Sequence, residues 1–350
     1  MLGLFPRRGR NPGLWKGHTL KAVDKATVVL PERPALFRKF GAHRGCRGLG
    51  PVSVELCCVL AVLPRIPLAW VTAKANASEH VMVKRLLRKL RKGDLLLIDN
   101  GFYCFKLFSR LRQRACNFLI PVAKNTGPKI IRTLGPGDYL VEIQDSDPAS
   151  EETMVARLLY VYRKGFRRRR ILTGLLDPVR YPADELADLY HRRWDIETFY
   201  RDFKDTLKAR TWHCQTPDSF QKELTMHMIA TVLIRSTMLE AARRRRIAPA
   251  RLSFSRAVTE ARVFLKRLAG AARDVALAAY GEFVSRCARH LVNSKPGRTF
   301  PRDQQERRRK ARGIDDGRRG RRRPTADPFA EHNAGEETLT TRQGETYALS

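Results

Sequence analysis

The amino-acid sequence predicts an α/β fold in which helices flank a sheet, and three observations indicate it. Short apolar runs at residues 94–99 (DLLLID) and 117–123 (NFLIPVA) are typical of strands buried on both faces of a sheet. Apolar residues at helical spacing precede and separate these runs, at residues 79–90 and 102–115. Residues 124–178 carry short apolar runs between Gly, Pro and Asp, a pattern that favours antiparallel strands.

The other elements follow from local composition. Runs of β-branched residues indicate strands, Gly and Arg clusters indicate loops, and a proline followed by acidic residues indicates the start of a helix. On these grounds we expect a strand at 19–30, a loop at 41–51, two strands within 52–74, a long helix from Pro182 to about Leu207, and helices within 220–243 and 249–292.

The chain carries a large positive charge. It has 68 Lys and Arg against 35 Asp and Glu, a formal net charge of +33, which indicates a polyanionic partner. Nucleic acid is favoured over a membrane, because charges and prolines interrupt the most apolar stretch, residues 54–71. Seven cysteines, an odd number without a CxxC pair, argue against structural zinc or a disulfide scaffold and suit a cytoplasmic protein.

The composition also divides the chain into segments. Residues 1–14, rich in Gly, Pro and Arg, predict a flexible leader that lacks the ordered regions of a secretory signal. Residues 295–324 are strongly basic and hold almost no apolar side chains, and residues 325–350 are polar and mildly acidic. Together, residues 295–350 predict a disordered tail. Between the two ends, the pattern changes near residues 123 and 178, which separates residues 15–123, 124–178 and 179–294.

Three carboxylates stand out by their position. Asp24 interrupts a predicted strand, and Asp99 ends an apolar one, at the kind of strand end where α/β sheets build ligand sites. Glu197 lies on the long predicted helix. At 100° per residue, it belongs to a polar stripe at the edge of the buried face, together with Tyr190, Arg193 and Lys204. Asp195 points away from this stripe, and the buried face itself is expected to hold Leu189, Ile196, Tyr200, Phe203 and Leu207.

Each of these carboxylates alone has an ordinary explanation. The two aspartates suit turns or loops, and Glu197 suits a solvated ion pair with Arg193 one turn away. Together, in a strongly basic protein, the three fit a phosphoryl-transfer site. Two Mg²⁺ or Mn²⁺ ions take oxygen ligands and hold the attacking and leaving oxygens of an in-line displacement.

The motif Tyr190-x2-Arg193-x3-Glu197-x6-Lys204, within YHRRWDIETFYRDFK, resembles a family signature. It is similar to the Tyr-Arg-Glu-Lys signature of DDE transposases of the bacterial insertion-sequence IS-four family. The segments GDLLLIDNGFY, around Asp99, and WKGHTLKAVDKATVVLP, around Asp24, resemble the blocks around the two aspartates of that family. The resemblance spans roughly residues 15–239.

The resemblance implies an RNase H-like (retroviral-integrase-like) core, a mixed five-stranded sheet with helices on both sides. Residues 15–123 and 179–294 would form this core with its C-terminal helices, and residues 124–178 a β-rich insertion. Asp24, Asp99 and Glu197 would bind two Mg²⁺ or Mn²⁺ ions. The other residues of the signature, Tyr190, Arg193 and Lys204, would contact the DNA backbone.

The activity implied is metal-dependent nicking of transposon-end DNA, followed by strand transfer to target DNA. The resemblance implies double-stranded DNA as the partner, a homodimer in the synaptic complex, and the bacterial cytoplasm, next to the nucleoid, as the location. It implies neither a membrane nor a small-molecule cofactor. We expect the basic runs Arg167, Arg168, Arg169 and Arg170, and 243–246, to contact DNA rather than only solvent, and the tail from Lys295 to act as a nonspecific DNA arm.

Two alternatives stay open on the sequence. Lys25 beside Asp24 would add a cation where the metal must bind, and Asn100 stands in place of the usual arginine. These two residues, together with only 23 residues before Asp24, are compatible with a truncated, catalytically inactive remnant that binds DNA. A basic nuclease or resolvase that shares the core without transposing is the other alternative.

Overall fold

The computed structural model describes residues 14–45, 48–123, 126–162 and 168–292. The predicted leader, apart from Leu14, and the predicted tail at 295–350 lie outside the described residues. The strands are β1 (Leu14–Trp15), β2 (His18–Val29), β3 (Ala42–Gly45), β4 (Gly48–Ala61), β5 (Ile66–Lys74), β6 (Asp94–Leu97), β7 (Asn117–Val122), β8 (Lys129–Gly135), β9 (Asp138–Gln144), β10 (Thr153–Val161) and β11 (Arg169–Thr173). The helices are α1 (Pro34–Phe40), α2 (Glu79–Leu86), α3 (Phe105–Gln113), α4 (Ala183–His191), α5 (Trp194–Arg201), α6 (Pro217–Arg245), α7 (Phe254–Leu268) and α8 (Arg273–Arg289).

Five strands in the order β5-β4-β2-β6-β7 form the centre of a mixed sheet. Strand β2 pairs antiparallel with β4 and parallel with β6, which pairs parallel with β7. Helices α1, α4, α5 and α6 pack on one face of this sheet, and α2 and α3 pack on the other. The arrangement confirms the mixed α/β, RNase H-like core that the resemblance implies.

The β-rich segment extends this sheet. Strand β11 pairs antiparallel with β7, and β10, β9 and β8 follow outward in antiparallel order, as predicted. The fully buried Arg157 joins the segment to the residues before α4. Its guanidinium contacts both carboxylate oxygens of Asp138, at 2.7 and 2.5 Å, and donates to the carbonyl oxygen of Tyr181 at 2.7 Å.

Two local predictions are wrong. The expected loop at 41–51 contains β3 and the start of β4, which pair antiparallel. The expected helix from Pro182 to about Leu207 is divided into α4, α5 and a π-helical turn, Asp202–Thr206. At the first break, the N–H groups of Arg192 and Arg193 donate three residues back, which tightens the chain between α4 and α5. Neither Gly nor Pro marks this break, so the helical pattern of the sequence does not show it.

The C-terminal helices form their own apolar cluster. Side chains of α6, α7 and α8 pack together, among them Met238, Val258 and Val284. A bridge between Leu252 and Leu291 closes the pair α7–α8 at one end. In the part of the chain that the structure describes, no helix combines the length and the apolar character that crossing a bilayer requires.

Candidate active site

Parallel pairing of β2 and β6 places Asp24 and Asp99 on the same side of the sheet. The register aligns Ala22 with Leu97, and each aspartate lies two residues further along its own strand direction. Because side chains alternate between faces, both aspartates share the face of Ala22 and Leu97, which is the face that α5 covers. The Asp24 carboxylate accepts the N–H of Lys25 at 2.8 Å, and the Asp99 carboxylate accepts the N–H of Asn100 at 2.9 Å.

The buried Tyr200 fixes α5 against β2. Its hydroxyl lies 2.8 Å from the carbonyl oxygen of Asp24 and 3.2 Å from that of Leu56. The helix is therefore fastened to the strand at the residue that carries the first carboxylate, and Glu197 lies one turn before this contact.

Arg193 lies among the three carboxylates. Its Nη2 donates to Glu197 Oε1 at 2.7 Å, and its Nη1 lies 3.9 Å from Asp24 Oδ2. Burial acts to lower the pKa of this guanidinium, but the charges of Tyr190 and of the three carboxylates outweigh burial and raise the pKa. One cation thus faces three anions in a largely buried place.

The pKa of Asp24 reports the same crowding of negative charge. Burial, the largest cause, raises the pKa of this carboxyl to about 6. The N–H of Lys25 and the charge of Arg193 act to lower the pKa, while Asp99 and Glu197 both raise it. The three carboxylates predicted from the sequence are therefore close enough to repel one another through a poorly solvated space.

Tyr190 and Lys204 hold backbone atoms next to the site. The buried Tyr190 hydroxyl donates to the carbonyl oxygen of Ile98 at 3.4 Å, directly before Asp99. Lys204 Nζ donates to the carbonyl oxygen of Thr27 at 2.9 Å, and burial lowers the pKa of its ammonium. All four signature residues thus lie along the ends of β2 and β6, although α4, α5 and the π-helical turn are separate pieces. The predicted DNA contacts of these side chains stay predictions.

Lys25 lies on the opposite face of the sheet from Asp24. Its Nζ donates to the carbonyl oxygen of Ala77 at 3.1 Å and lies 3.9 Å from Glu55 Oε2. The interpretation of Lys25 as a competing cation in the metal site is therefore wrong, because successive residues of a strand point to opposite faces.

The members of the predicted arginine run, at and before the start of β11, differ in their surroundings. Arg167 lies outside the described residues. Arg168 is exposed over the ring of Tyr162, and the charge of Arg169 acts on Tyr190 in the site. The Arg170 guanidinium donates to the carbonyl oxygen of Ala123. Among the described members of the run, Arg169 is thus the one whose charge acts on a signature residue.

The residue types fit divalent cations, but the side chains are not arranged in a geometry that would coordinate a metal ion. Asp24, Asp99 and Glu197 offer the carboxylate oxygens that Mg²⁺ and Mn²⁺ prefer. Within the described ranges, no group of three or more His, Cys, Asp and Glu side chains is positioned to hold a metal ion. Two of the three carboxylates contact Arg193 instead.

Sequence reasoning missed two polar contacts that shape the site. Tyr200 was expected only as a core residue, yet its hydroxyl joins α5 to β2. The buried Asp195 pairs with Arg65, with Nε 2.8 Å from Oδ1, and so anchors the start of α5 to the turn between β4 and β5. The helical period does show that Asp195 points away from the stripe, but no local signal identifies Arg65 as its partner.

With this geometry in place, comparison with known proteins identifies the class. Residues 15–233 match the family "Transposase DDE domain", which covers more than half of the chain. The chain belongs to this family, within the transposases of insertion sequences of the IS4 type.

Individual relatives agree with this assignment. Transposase InsG for insertion sequence element IS4, from Escherichia coli (strain K12), is 31% identical over 315 residues, 84% of this chain and 69% of its own length. The protein y4zB of Sinorhizobium fredii (strain NBRC 101917 / NGR234) is 26% identical over 153 residues, 42% of this chain and 43% of its own length. A cryo-EM structure of a piggyBac transposase synaptic complex with hairpin DNA superposes with a TM-score of 0.41 at 9% identity, over 80% of this chain and 59% of the other.

Proposed function

We propose that this chain is a metal-dependent DNA transposase whose catalytic residues are Asp24, Asp99 and Glu197. The observation that carries the proposal is the electrostatic coupling of three carboxylates, from β2, the end of β6 and α5, around the single guanidinium of Arg193. A structural ion-pair network would balance its charges, whereas here three carboxylates surround one buried guanidinium, an arrangement that a polyvalent cation would neutralise further.

The proposed ligands are oxygens of the three carboxylates, together with the DNA phosphate. When bound, two Mg²⁺ or Mn²⁺ ions would supply activation of the attacking oxygen and stabilisation of the leaving oxygen. In our proposal Arg193 keeps the carboxylates together in the free protein and turns to a phosphate oxygen in the DNA complex. Arginine suits this exchange because its planar fork binds carboxylate and phosphate alike.

The other signature residues position the site and the DNA. Tyr190 holds the backbone next to Asp99, and Lys204 holds β2 beyond Asp24, so both set the spacing of the two aspartates. We propose that Tyr190, Arg193 and Lys204 face the backbone of the transposon end, with the arginine run Arg167, Arg168, Arg169 and Arg170 beside them. Both the transposon ends and the target would be double-stranded DNA, handled by a homodimer in the bacterial cytoplasm.

A nicking assay with a matched control tests the catalytic assignment. With Mg²⁺ or Mn²⁺ and DNA that carries the element's end, Glu197→Gln is expected to lower the nicking rate at least about hundredfold, since even outer-shell changes at metal sites cost about 10–100-fold. Asp205→Asn removes an exposed acid that pairs with Arg210 and is expected to leave the rate unchanged. Equal nicking by the wild type and Glu197→Gln would refute the triad.

A second candidate function is a DNA-binding protein without catalysis. The contacts of Arg193 with Asp24 and Glu197, which occupy carboxylate oxygens, favour it. It predicts DNA binding that weakens steeply with salt, and no nicking with either Mg²⁺ or Mn²⁺. Metal-dependent nicking that needs Glu197 would exclude this candidate.

A further inference from the structure

A basic groove follows the outer edge of the sheet, away from the carboxylates. It has a volume of about 640 Å³ and lies between α2 and α6 along β5. Its walls include Trp70 and Thr72 from β5 and Gln221 from α6. Three cations complete the lining, Lys84 and Arg85 from α2 and Arg88 from the 3-10 turn Leu87–Lys89 that follows α2. The amide of Gln221 donates to the hydroxyl of Thr72 at 2.9 Å, which fixes the α6 wall against the strand.

The charge of this groove is uncompensated. Lys84, Arg85 and Arg88 are exposed, and no carboxylate contributes to the lining. Among the ion pairs between described residues, none involves these three side chains, whereas basic residues of the C-terminal helices such as Arg244, Arg267 and Arg286 pair with glutamates. Three cations within five residues of the chain repel one another unless a polyanion lies against them.

The groove is connected to the candidate active site by the register of the sheet. Asp24 pairs with Cys58, and Cys58 pairs with Trp70, so the three residues form one row across β2, β4 and β5 on one face. Two strand spacings of about 4.8 Å place the Cα atom of Trp70 about 10 Å from that of Asp24. One strand of duplex DNA carries a phosphate about every 3.4 Å of helix axis, so this distance spans about three nucleotides.

We propose that this groove binds the backbone of duplex DNA, beginning about three nucleotides from the phosphate that reacts at Asp24. The side chains of Lys84, Arg85 and Arg88 contact phosphates, and the Thr72–Gln221 pair supplies neutral hydrogen-bonding groups. The groove therefore determines how DNA leaves the site and contributes affinity without reading sequence. This inference rests on the proposed function for the position of the reacting phosphate, but its charge argument does not depend on catalysis.

Binding of duplex DNA at varied salt concentration tests the groove independently of nicking. The triple variant Lys84→Gln, Arg85→Gln, Arg88→Gln is expected to lose about tenfold or more in affinity at 50 mM salt. The slope of log K against log [salt] is expected to fall by about 2 to 3, since each phosphate contact contributes about 0.9. The matched control is Arg256→Gln, Arg262→Gln, Lys266→Gln on α7, which removes the same charge from another exposed helix face. An equal loss in both variants, or an unchanged slope in the α2 variant, would overturn the proposal.

Two further measurements separate this inference from the proposed function and from misfolding. In the wild-type protein, duplex DNA is expected to protect Lys84 from acetylation more strongly than Lys266; equal protection would contradict the proposal. In the nicking assay, the α2 variant is expected to cut a substrate with long flanking DNA more slowly than the wild type does. It is expected to cut a substrate that ends within three nucleotides of the cut at the wild-type rate. Absence of nicking by the wild type would refute the proposed function and leave the binding and protection tests intact.

Discussion

The β-rich segment and the candidate active site both bury an arginine, but they balance its charge differently. In the β-rich segment, Arg157 meets one carboxylate, that of Asp138, through two hydrogen bonds, and backbone carbonyls accept from its remaining nitrogen. In the site, Arg193 faces the carboxylates of Asp24, Asp99 and Glu197. In the first cluster one guanidinium meets one carboxylate, and in the second one guanidinium faces three carboxylates.

This difference separates a structural ion pair from a site prepared for a ligand. A saturated pair needs no further ligand, and removal of one member leaves the other buried without a partner. An unbalanced cluster costs stability in the free protein and gains it when a cation binds, because binding to the native state shifts the folding equilibrium. Substitutions in the two clusters should therefore change stability in opposite directions.

The largest expected effect lies in the β-rich segment. Arg157→Leu leaves the carboxylate of Asp138 buried without its partner, and we expect the free energy of unfolding to fall by about 3–5 kcal/mol. Chemical denaturation followed by circular dichroism measures this change. The double variant Arg157→Leu, Asp138→Leu is expected to recover most of the loss, because it removes both charges. A small loss in the single variant would show that the two clusters do not differ as described.

In the candidate active site, removal of a carboxylate is expected to raise the free energy of unfolding. The pKa of Asp24 is raised from 3.8 to about 6, so the contribution of this carboxyl to stability is fully present below pH 3.8 and is lost as the pH rises through 6. Asp24→Asn cannot ionise, and we expect it to be more stable than the wild type by about 3 kcal/mol above pH 6 and equal to it below pH 4. Urea denaturation at pH 4 and pH 8, with a chelator present, measures both differences.

Divalent cation provides the control for this variant. Mg²⁺ or Mn²⁺ is expected to stabilise the wild type at pH 8 and to stabilise Asp24→Asn less, since a ligand oxygen has lost its charge. A destabilised Asp24→Asn protein at pH 8 would mean that the site is as well balanced as the Arg157–Asp138 pair.

The smallest expected effect concerns the contact that positions the site. Tyr200→Phe removes the hydroxyl shared by the carbonyl oxygens of Asp24 and Leu56, at an expected cost of about 1–2 kcal/mol in the free energy of unfolding. Nicking is expected to fall as well, because α5 loses its fixed distance from β2. Tyr280→Phe, at an exposed position of α8, is the matched control and is expected to be neutral. If the two variants nick DNA equally, Tyr200 has no positioning role.

The sequence predicts features that depend on neighbours along the chain. The apolar runs around Leu96 and Ile120 are strands, and their burial follows from their composition. The helical period correctly places Ile196 and Phe203 in the core and Glu197 at its edge, since this period survives small changes of helix geometry. Alternation along a strand also gives the correct face for Asp24 once the strand is known.

Features that depend on distant parts of the chain are not visible in the sequence. The break between α4 and α5 contains no helix breaker. Residues next to the break pair with residues of other elements, and Asp195, for example, pairs with Arg65. The central position of Arg193 requires the register between β2 and β6, which no local pattern encodes. Lys25 is different, because alternation along β2 is enough to put its side chain on the face opposite to that of Asp24.

The π-helical turn Asp202–Thr206 has a mechanical consequence. Its first residue, Asp202, binds Arg235 of α6, while two residues later Lys204 binds the carbonyl oxygen of Thr27 on β2. The turn thus contacts both α6, through Asp202, and β2, through Lys204. A displacement of α6 relative to β2 would therefore have to break or strain one of these two contacts, which makes the turn one route by which the C-terminal helices are coupled to the strand that bears Asp24.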